Sequence, residues 1–240
     1  VARASEALAG YGNLFHGVAT TGSASPIGNP RVERLAGAAL AGGDAERILA
    51  LLNVRQVLSP FPPKLAGLRH VRTASGVGRW DAAGSFGRAW FPESTRIASD
   101  DEAFELLRRP GFDPGAVALV APDGRAGPSP PGRPKGSWAA ARFRADEPER
   151  AEIVTSASAP SLLVLTRSWD AGWEARIDGT PVPTRRAQLA LLAVDVPAGG
   201  HRLELRYRPL SFRVGLGLSA AGLVGLLALA LAAPPGRRRT

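Results

Sequence analysis

The sequence predicts an α+β protein in three parts: a small mixed α/β domain, an all-β sandwich of jelly-roll or immunoglobulin-like type, and one C-terminal transmembrane helix. Three observations predict it. Helix caps and short mixed elements crowd residues 44–122. Six or seven short strands with turn signals and no helix fill 138–208. The last stretch, Val214 to Ala233, runs for 20 residues without a charge, and at ~1.5 Å per residue that reaches the ~30 Å of a bilayer core.

Residues 1–43 are rich in Gly, Ala, Ser and Pro and read as a loop-rich segment with one short helix near Arg31–Ala39. Asp44 is a candidate N-cap for a helix to about Leu52. Val54–Leu58 alternates and ends at Ser59-Pro60, as a strand does. Leu68–Thr73 and Val77–Asp81 are two further strands around Ala74-Ser75-Gly76, and Arg88–Pro92 is another. Ser99 with Glu102 three residues on forms a capping box. Ala103, Phe104, Leu106 and Leu107 then supply an apolar helix face that Pro110-Gly111 ends. Ala116–Val120 reads as a buried strand.

Residues 123–137 are a Pro/Gly-rich linker: Pro128, Pro130, Pro131 and Pro134 lie within it and Pro122 just before. Beyond it the period changes to two. Ala141–Ala145 alternates, Glu152–Ser156 follows, and Leu162–Leu165 is a buried run. Trp173, Ala175 and Ile177 face one way, with Glu174, Arg176 and Asp178 facing the other. Asp178-Gly179 is a two-residue hairpin turn. Leu189–Val196 is long and apolar, Pro197–Gly200 turns the chain, and Leu203, Leu205 and Tyr207 alternate with charged neighbours.

Composition narrows the function. The formal charge is +9, but residues 1–137 hold 16 Lys+Arg against 12 Asp+Glu, and residues 138–213 hold 11 against 9. No dense basic patch with interleaved aromatics occurs outside the tail, which speaks against nucleic acid. Cysteine is absent, which removes thiolate zinc sites and cysteine nucleophiles. His16, His70 and His201 are scattered without ligand spacing, so neither metal nor cofactor is expected. Gly76-Val77-Gly78 belongs to a hairpin and cradles no phosphate.

Arg237, Arg238 and Arg239 follow the apolar run and Arg206, Arg208 and Arg213 precede it; the positive-inside rule favours the tail 234–240 in the cytoplasm and residues 1–213 outside it, and the competing reading, a tail-anchored cytosolic protein, would carry three arginines across the membrane. The first thirty residues hold no apolar stretch of signal-peptide length. Export is therefore expected to depend on earlier membrane helices. Gly217, Ala221 and Gly225, spaced by four, are the expected packing face toward such neighbours; frequent Gly and Ala in this chain explain the same spacing.

Asp170, Glu174 and Asp178 form an acidic group beside two tryptophans. Trp173, in phase with Ala175 and Ile177, reads as sandwich core. Trp169 lies in a loop, where an exposed indole stacks on a sugar ring. Trp169, Asp170 and Trp173 are therefore the candidate ligand-binding residues, and no catalytic residue is assigned.

Two segments carry a resemblance. One is Leu51–Leu58 followed by Arg88–Pro92, Ser99–Leu107 and Gly111–Pro114. The other is Ser168–Gly179 followed by Val196–His201 and Tyr207–Phe212. In this order and spacing the chain resembles the C-terminal region of YfhO-type bacterial membrane proteins. The resemblance implies a polytopic protein of the GT-C glycosyltransferase kind. Such a protein adds sugar to a cell-envelope glycopolymer from a polyprenyl-phosphate-linked donor, with its catalytic carboxylates between N-terminal membrane helices. The expected partners are thus the bilayer, that donor, the glycopolymer and other transmembrane helices. This region is then an accessory part that positions donor or acceptor; the other reading is a membrane-anchored carbohydrate-binding or structural module. The chain departs from the family's usual pattern at Trp169-Asp170-Ala171, where two aromatics and a proline more often precede the Gly-Trp pair.

Overall fold

A computed structural model describes residues 29–40, 45–63, 65, 67–74, 76–122, 132–134 and 136–232. The expected N-cap Asp44, most of the linker and Arg237–Arg239 lie outside the described residues.

Helices α1 (Pro30–Leu40) and α2 (Ala45–Leu51) come first, then strands β1 (Gln56–Ser59), β2 (Leu68–Ala74) and β3 (Val77–Ala82). These three strands form a separate antiparallel sheet in the order β1-β3-β2. Next are β4 (Ala89–Trp90), β5 (Ser94–Ile97), α3 (Asp100–Arg108) and β6 (Val117–Val120). The Ser99 cap is realised: its side chain accepts from the Glu102 amide. Only half of the capping box closes, because the Glu102 carboxylate is drawn to Arg96 instead.

The remaining strands are β7 (Ala139–Glu147), β8 (Arg150–Ala157), β9 (Ser161–Ser168), β10 (Trp173–Ile177), β11 (Thr180–Val182), β12 (Thr184–Ala187), β13 (Leu191–Val196) and β14 (Gly199–Tyr207). They build a five-stranded sheet, β11-β10-β14-β8-β7, and half of a six-stranded one, β4-β9-β13-β12-β6-β5. The β-sandwich expectation holds in this coarse form, with one correction. Three strands of the six-stranded sheet come from 89–120, so the expected boundary at 123–137 does not separate two cores. The reason is visible in β9 and β13. Ser161–Leu165 is buried without a break, as are Leu191–Val194, so that sheet is covered on both faces and carries no alternation. Leu163, Leu165, Leu192 and Val194 meet Ile153, Ala175, Leu203 and Leu205 of the five-stranded sheet. Leu162, Val164, Leu191 and Ala193 meet Leu35, Ile48, Leu51 and Leu107 of the helices. The molecule is therefore three-layered: helices, a buried sheet, and a second sheet whose outer face is wet and alternates.

Strands β5, β11 and β12 were not legible in the sequence. In β12 the sequence Thr-Arg-Arg-Ala hides its inward position, because Arg185 is 3% exposed and bonds Asp195 through Nε at 2.8 Å and Nη2 at 2.7 Å. Burial pushes the Asp195 carboxyl up, against the opposing pull of Arg185.

The last described element is α4, Leu210–Ala232, 23 residues long. The apolar side chains described in it, among them Leu210, Phe212, Val214, Leu216, Leu218, Leu223, Val224 and Leu226, are exposed. Among the described residues no helix is long and apolar enough to cross a membrane. Over its described residues, the expected span at 214–233 stands as a helix with an exposed apolar surface.

Candidate functional site

Strand register decides what surrounds the two tryptophans. Strand β10 runs antiparallel to β14 with Trp173 opposite Tyr207, and β14 runs antiparallel to β8 with Arg206 opposite Arg150. The start of β10, the end of β14, the start of β8 and the β7–β8 turn therefore share one end of the five-stranded sheet. That end is also where α4 begins, three residues after Tyr207.

A cleft of about 590 Å³ opens there, within the range typical of small-ligand sites. Trp169, Asp170 and Trp173, the three predicted ligand-binding residues, all line it, joined by Tyr207, Arg167 and Pro148. The N-terminal end of α1, through Asn29 and Arg31, closes the other side. Asn29 caps that helix by accepting from the Arg31 amide at 3.0 Å, and its amide nitrogen donates to the Ser168 hydroxyl at 2.5 Å.

Asp170 organises the loop. Its Oδ1 accepts from the Gly172 amide at 2.8 Å and from the Tyr207 hydroxyl at 3.2 Å. Partial burial first, then the Asp170 charge and this hydrogen bond, push the Tyr207 hydroxyl above its ordinary pKa. The Trp173 and Tyr207 rings lie 5.1 Å apart at 48°, an aromatic pair tilted between stacked and edge-to-face. The Trp173 indole N–H donates to the Ser168 carbonyl at 3.1 Å, and the Arg167 guanidinium sits 5.3 Å from its ring.

Both tryptophans are half-buried and pack on the inter-sheet core. Trp173 packs on the core as its phase predicts, Trp169 does so as well, and each also presents a part to the cleft. The Trp169 amide donates to the Ala190 carbonyl at 2.8 Å. Its buried indole N–H has no hydrogen-bond acceptor among the described residues.

Two carboxylates brace the rim, each shared by two guanidiniums. Asp100 binds Arg31 and Arg186, and Arg186 also reaches within 5.8 Å of the Trp169 ring. Partial burial pushes the Asp100 carboxyl up, but the bonds and charges of Arg186 and Arg31 outweigh it and hold it below the usual carboxylate range. Asp146 binds Arg88 and Arg167. Around the cleft the cations therefore outnumber the acids that neutralise them, with Asp170 within it.

Gly172 ties the cleft to the helix. Its carbonyl accepts from the Arg208 amide at 2.7 Å. A Cβ placed on it would lie 2.9 Å from the Pro209 Cα and 3.0 Å from the Tyr207 ring, too close for any residue but glycine.

The other predicted acids do not join Asp170. Glu174 is on the outer face of β10, 3.7 Å from Arg208. Asp178 is at the far end of that strand, ~13 Å further along at ~3.3 Å per residue, beyond the carboxylate separations of glycosidases. There its Oδ1 accepts from the Arg202 amide at 2.9 Å and its Oδ2 meets His201 Nδ1 at 2.7 Å. No group of three metal-ligating side chains occurs among the described residues. Gly217, Ala221 and Gly225 lie along one side of α4, with nothing within 4 Å of a Cβ built on either glycine.

The sequence missed Tyr207, Arg167, Arg31 and Asn29 as site members. Tyr207 stood in a quoted motif, but only the β10–β14 register brings it beside Trp173.

The model of the family described as bacterial membrane protein YfhO matches residues 146–219. Over that stretch, which holds the tryptophan loop, Tyr207 and the start of α4, the chain is similar to that family, and the second segment of the resemblance, Ser168–Phe212, holds; the first, Leu51–Pro114, lies outside the match. No curated protein and no solved structure matches the chain.

Proposed function

We propose that this chain forms the extracytoplasmic C-terminal part of a polytopic membrane protein of the glycosyltransferase kind. That protein glycosylates a cell-envelope polymer from a polyprenyl-phosphate-linked sugar. In this reading the three-layered unit is accessory: its cleft holds a sugar ring of donor or acceptor at the membrane surface, and the chemistry is done elsewhere in the protein. Helix α4 is the last transmembrane span, Gly217, Ala221 and Gly225 face neighbouring helices, and Arg237–Arg239 stay in the cytoplasm.

One observation carries the reading. The aromatic cleft lies at the end of the five-stranded sheet from which α4 leaves, so a ligand in it sits next to the root of the apolar helix. Half-exposed indoles supply a stacking face, and one carboxylate and two guanidiniums supply the oriented polar contacts a sugar needs. The similarity to a family of bacterial membrane proteins over 146–219 supports the membrane setting. The second reading, a membrane-anchored carbohydrate-binding module, shares the cleft and differs in what lies upstream.

The test uses the absence of cysteine from this chain, with any cysteine elsewhere in the protein replaced by serine. A Ser168→Cys variant, expressed in the full-length protein, is expected to react with a membrane-impermeant maleimide on intact cells. Protection until lysis would put the cleft on the cytoplasmic side and overturn the proposal.

A further inference from the structure

Each of the two cleft tryptophans carries a guanidinium over its ring, Arg186 over Trp169 at 5.8 Å and Arg167 over Trp173 at 5.3 Å. Both cations are clamped. Arg186 donates to the Asp100 carboxylate and to the Leu189 carbonyl, the latter at 3.1 Å. Arg167 donates to the Asp146 carboxylate, to the Glu147 carbonyl at 2.7 Å and to the Pro148 carbonyl at 3.0 Å. Their side chains are only 11% and 16% exposed, so neither swings out into water.

The clamping carboxylates do not cancel the charge. Asp100 is shared with Arg31, and Asp146 with Arg88. Each set of two guanidiniums and one carboxylate therefore keeps one net positive charge. Asp170, the one acid among the described lining residues, offsets one of the two, and its Oδ1 already accepts from the Gly172 amide and the Tyr207 hydroxyl. One positive charge remains around the cleft.

A cation over an indole is held by the ring's π-cloud. It leaves a ligand the remaining ring surface and repels any second cation brought there. One uncompensated charge about 8 Å away, at an effective dielectric of about 40–80, costs a cationic ligand roughly two- to sixfold in affinity. Arg186 does not line the cleft itself, so it acts through Trp169.

Resting on the reading that the cleft holds a sugar ring, we infer that Arg186 is a positioning and specificity residue of that site. It holds the Trp169 indole in its stacking orientation, and it makes the cleft reject sugars that bear a free ammonium group in favour of uncharged ones.

The test titrates the full chain, in neutral phosphatidylcholine nanodiscs, with methyl glucoside, methyl galactoside and the 2-amino-2-deoxy form of each. Affinities are read by ligand-observed NMR at a pH where the amines are protonated. The wild type is expected to bind at least one uncharged sugar roughly three- to fivefold more tightly than its amino form. Arg186→Gln, in which Asp100 keeps Arg31 as its partner, is expected to narrow that preference to less than about twofold. It should also weaken the uncharged sugar roughly threefold, the scale of a lost cation–π contact. Arg186→Lys keeps the charge and should keep the preference. Arg142→Gln, at an exposed position of β7, also removes one charge and should change neither affinity. Should Arg186→Gln fold poorly, Arg186→Met retains the packing of the stem and is read in the same way. A merely structural Arg186 would lower both affinities together and leave their ratio alone. The inference is overturned, with the sugar reading intact, if an uncharged sugar binds the wild type no better than its amino form. It is overturned equally if the preference survives Arg186→Gln, or is lost in Arg186→Lys as well. If neither uncharged sugar binds the wild type, the sugar reading fails and this inference falls with it.

Discussion

The two ends of strand β10 use the same residue type for different ends. At one, Asp178 sits in a tight hairpin with φ of 50°, and both its carboxylate oxygens are taken, one by the Arg202 amide and one by His201. At the other, Asp170 bonds Gly172 and Tyr207 through a single oxygen and lines an open cleft. The first end is closed structure. The second holds a loop in place while leaving polar and aromatic surface unspent, which is what a binding site requires of its scaffold.

The most direct way to break this comparison is Gly172→Ala. The added methyl collides with the backbone of Pro209 and the Tyr207 ring, an overpacking cost of about 1–3 kcal/mol. Denaturant unfolding should show that loss; Gly179→Ala at the far end meets no atom within 4 Å and pays only for its φ of +83°. Equal losses at both positions would remove the special tie between cleft and helix.

Asp170→Asn sharpens it further. The amide oxygen still accepts from Gly172, so stability should fall by less than about 1 kcal/mol. The charge that helps to raise Tyr207 disappears, and ultraviolet titration should find its phenol ionising at lower pH than in the wild type. A Tyr207 titration unmoved by the change would mean that burial alone sets it.

The smallest effect is expected at the closed end. The hydrogen bond to Asp178, then the Ala198 carbonyl, raise the His201 pKa above 6.5. The Arg202 amide, then His201, lower the Asp178 pKa below 3.8. A raised histidine stabilises the fold fully below pH 6.5 and loses that as pH climbs through its folded value. A depressed aspartate stabilises above 3.8 and loses that as pH falls through its folded value. The Tm difference between wild type and His201→Gln should therefore be widest between pH 3.8 and 6.5 and shrink above it. A difference that grows with pH would contradict the pairing. Asp178 is exposed and His201 only half-buried, so the effect on Tm is small.

These residues also show how far the sequence could be read. Period-two alternation revealed β7, β10 and β14, because that sheet has one wet face. The uninterrupted apolar runs in β9 and β13 announced burial but not what covers each side, and so 89–120 looked like part of a separate domain at 44–122. Trp169, Asp170 and Trp173 were legible as a group because they are close in the chain. Tyr207 and Arg31 were not, since pairing and helix packing bring them in from 34 and 142 residues beyond and before Trp173.

The central claim is that the cleft at the root of α4 holds a sugar ring. Calorimetric titration of the full chain in nanodiscs with saccharides released from bacterial envelope glycopolymers tests it most directly. The account predicts that at least one saccharide binds the wild type. Trp169→Ala should weaken that binding about tenfold, the scale of a lost aromatic stacking contact, with the Asp178 hairpin's own stability probe, His201→Gln, leaving it unchanged. Binding that Trp169→Ala does not alter, or no binding by the wild type to any saccharide of the set, would contradict it.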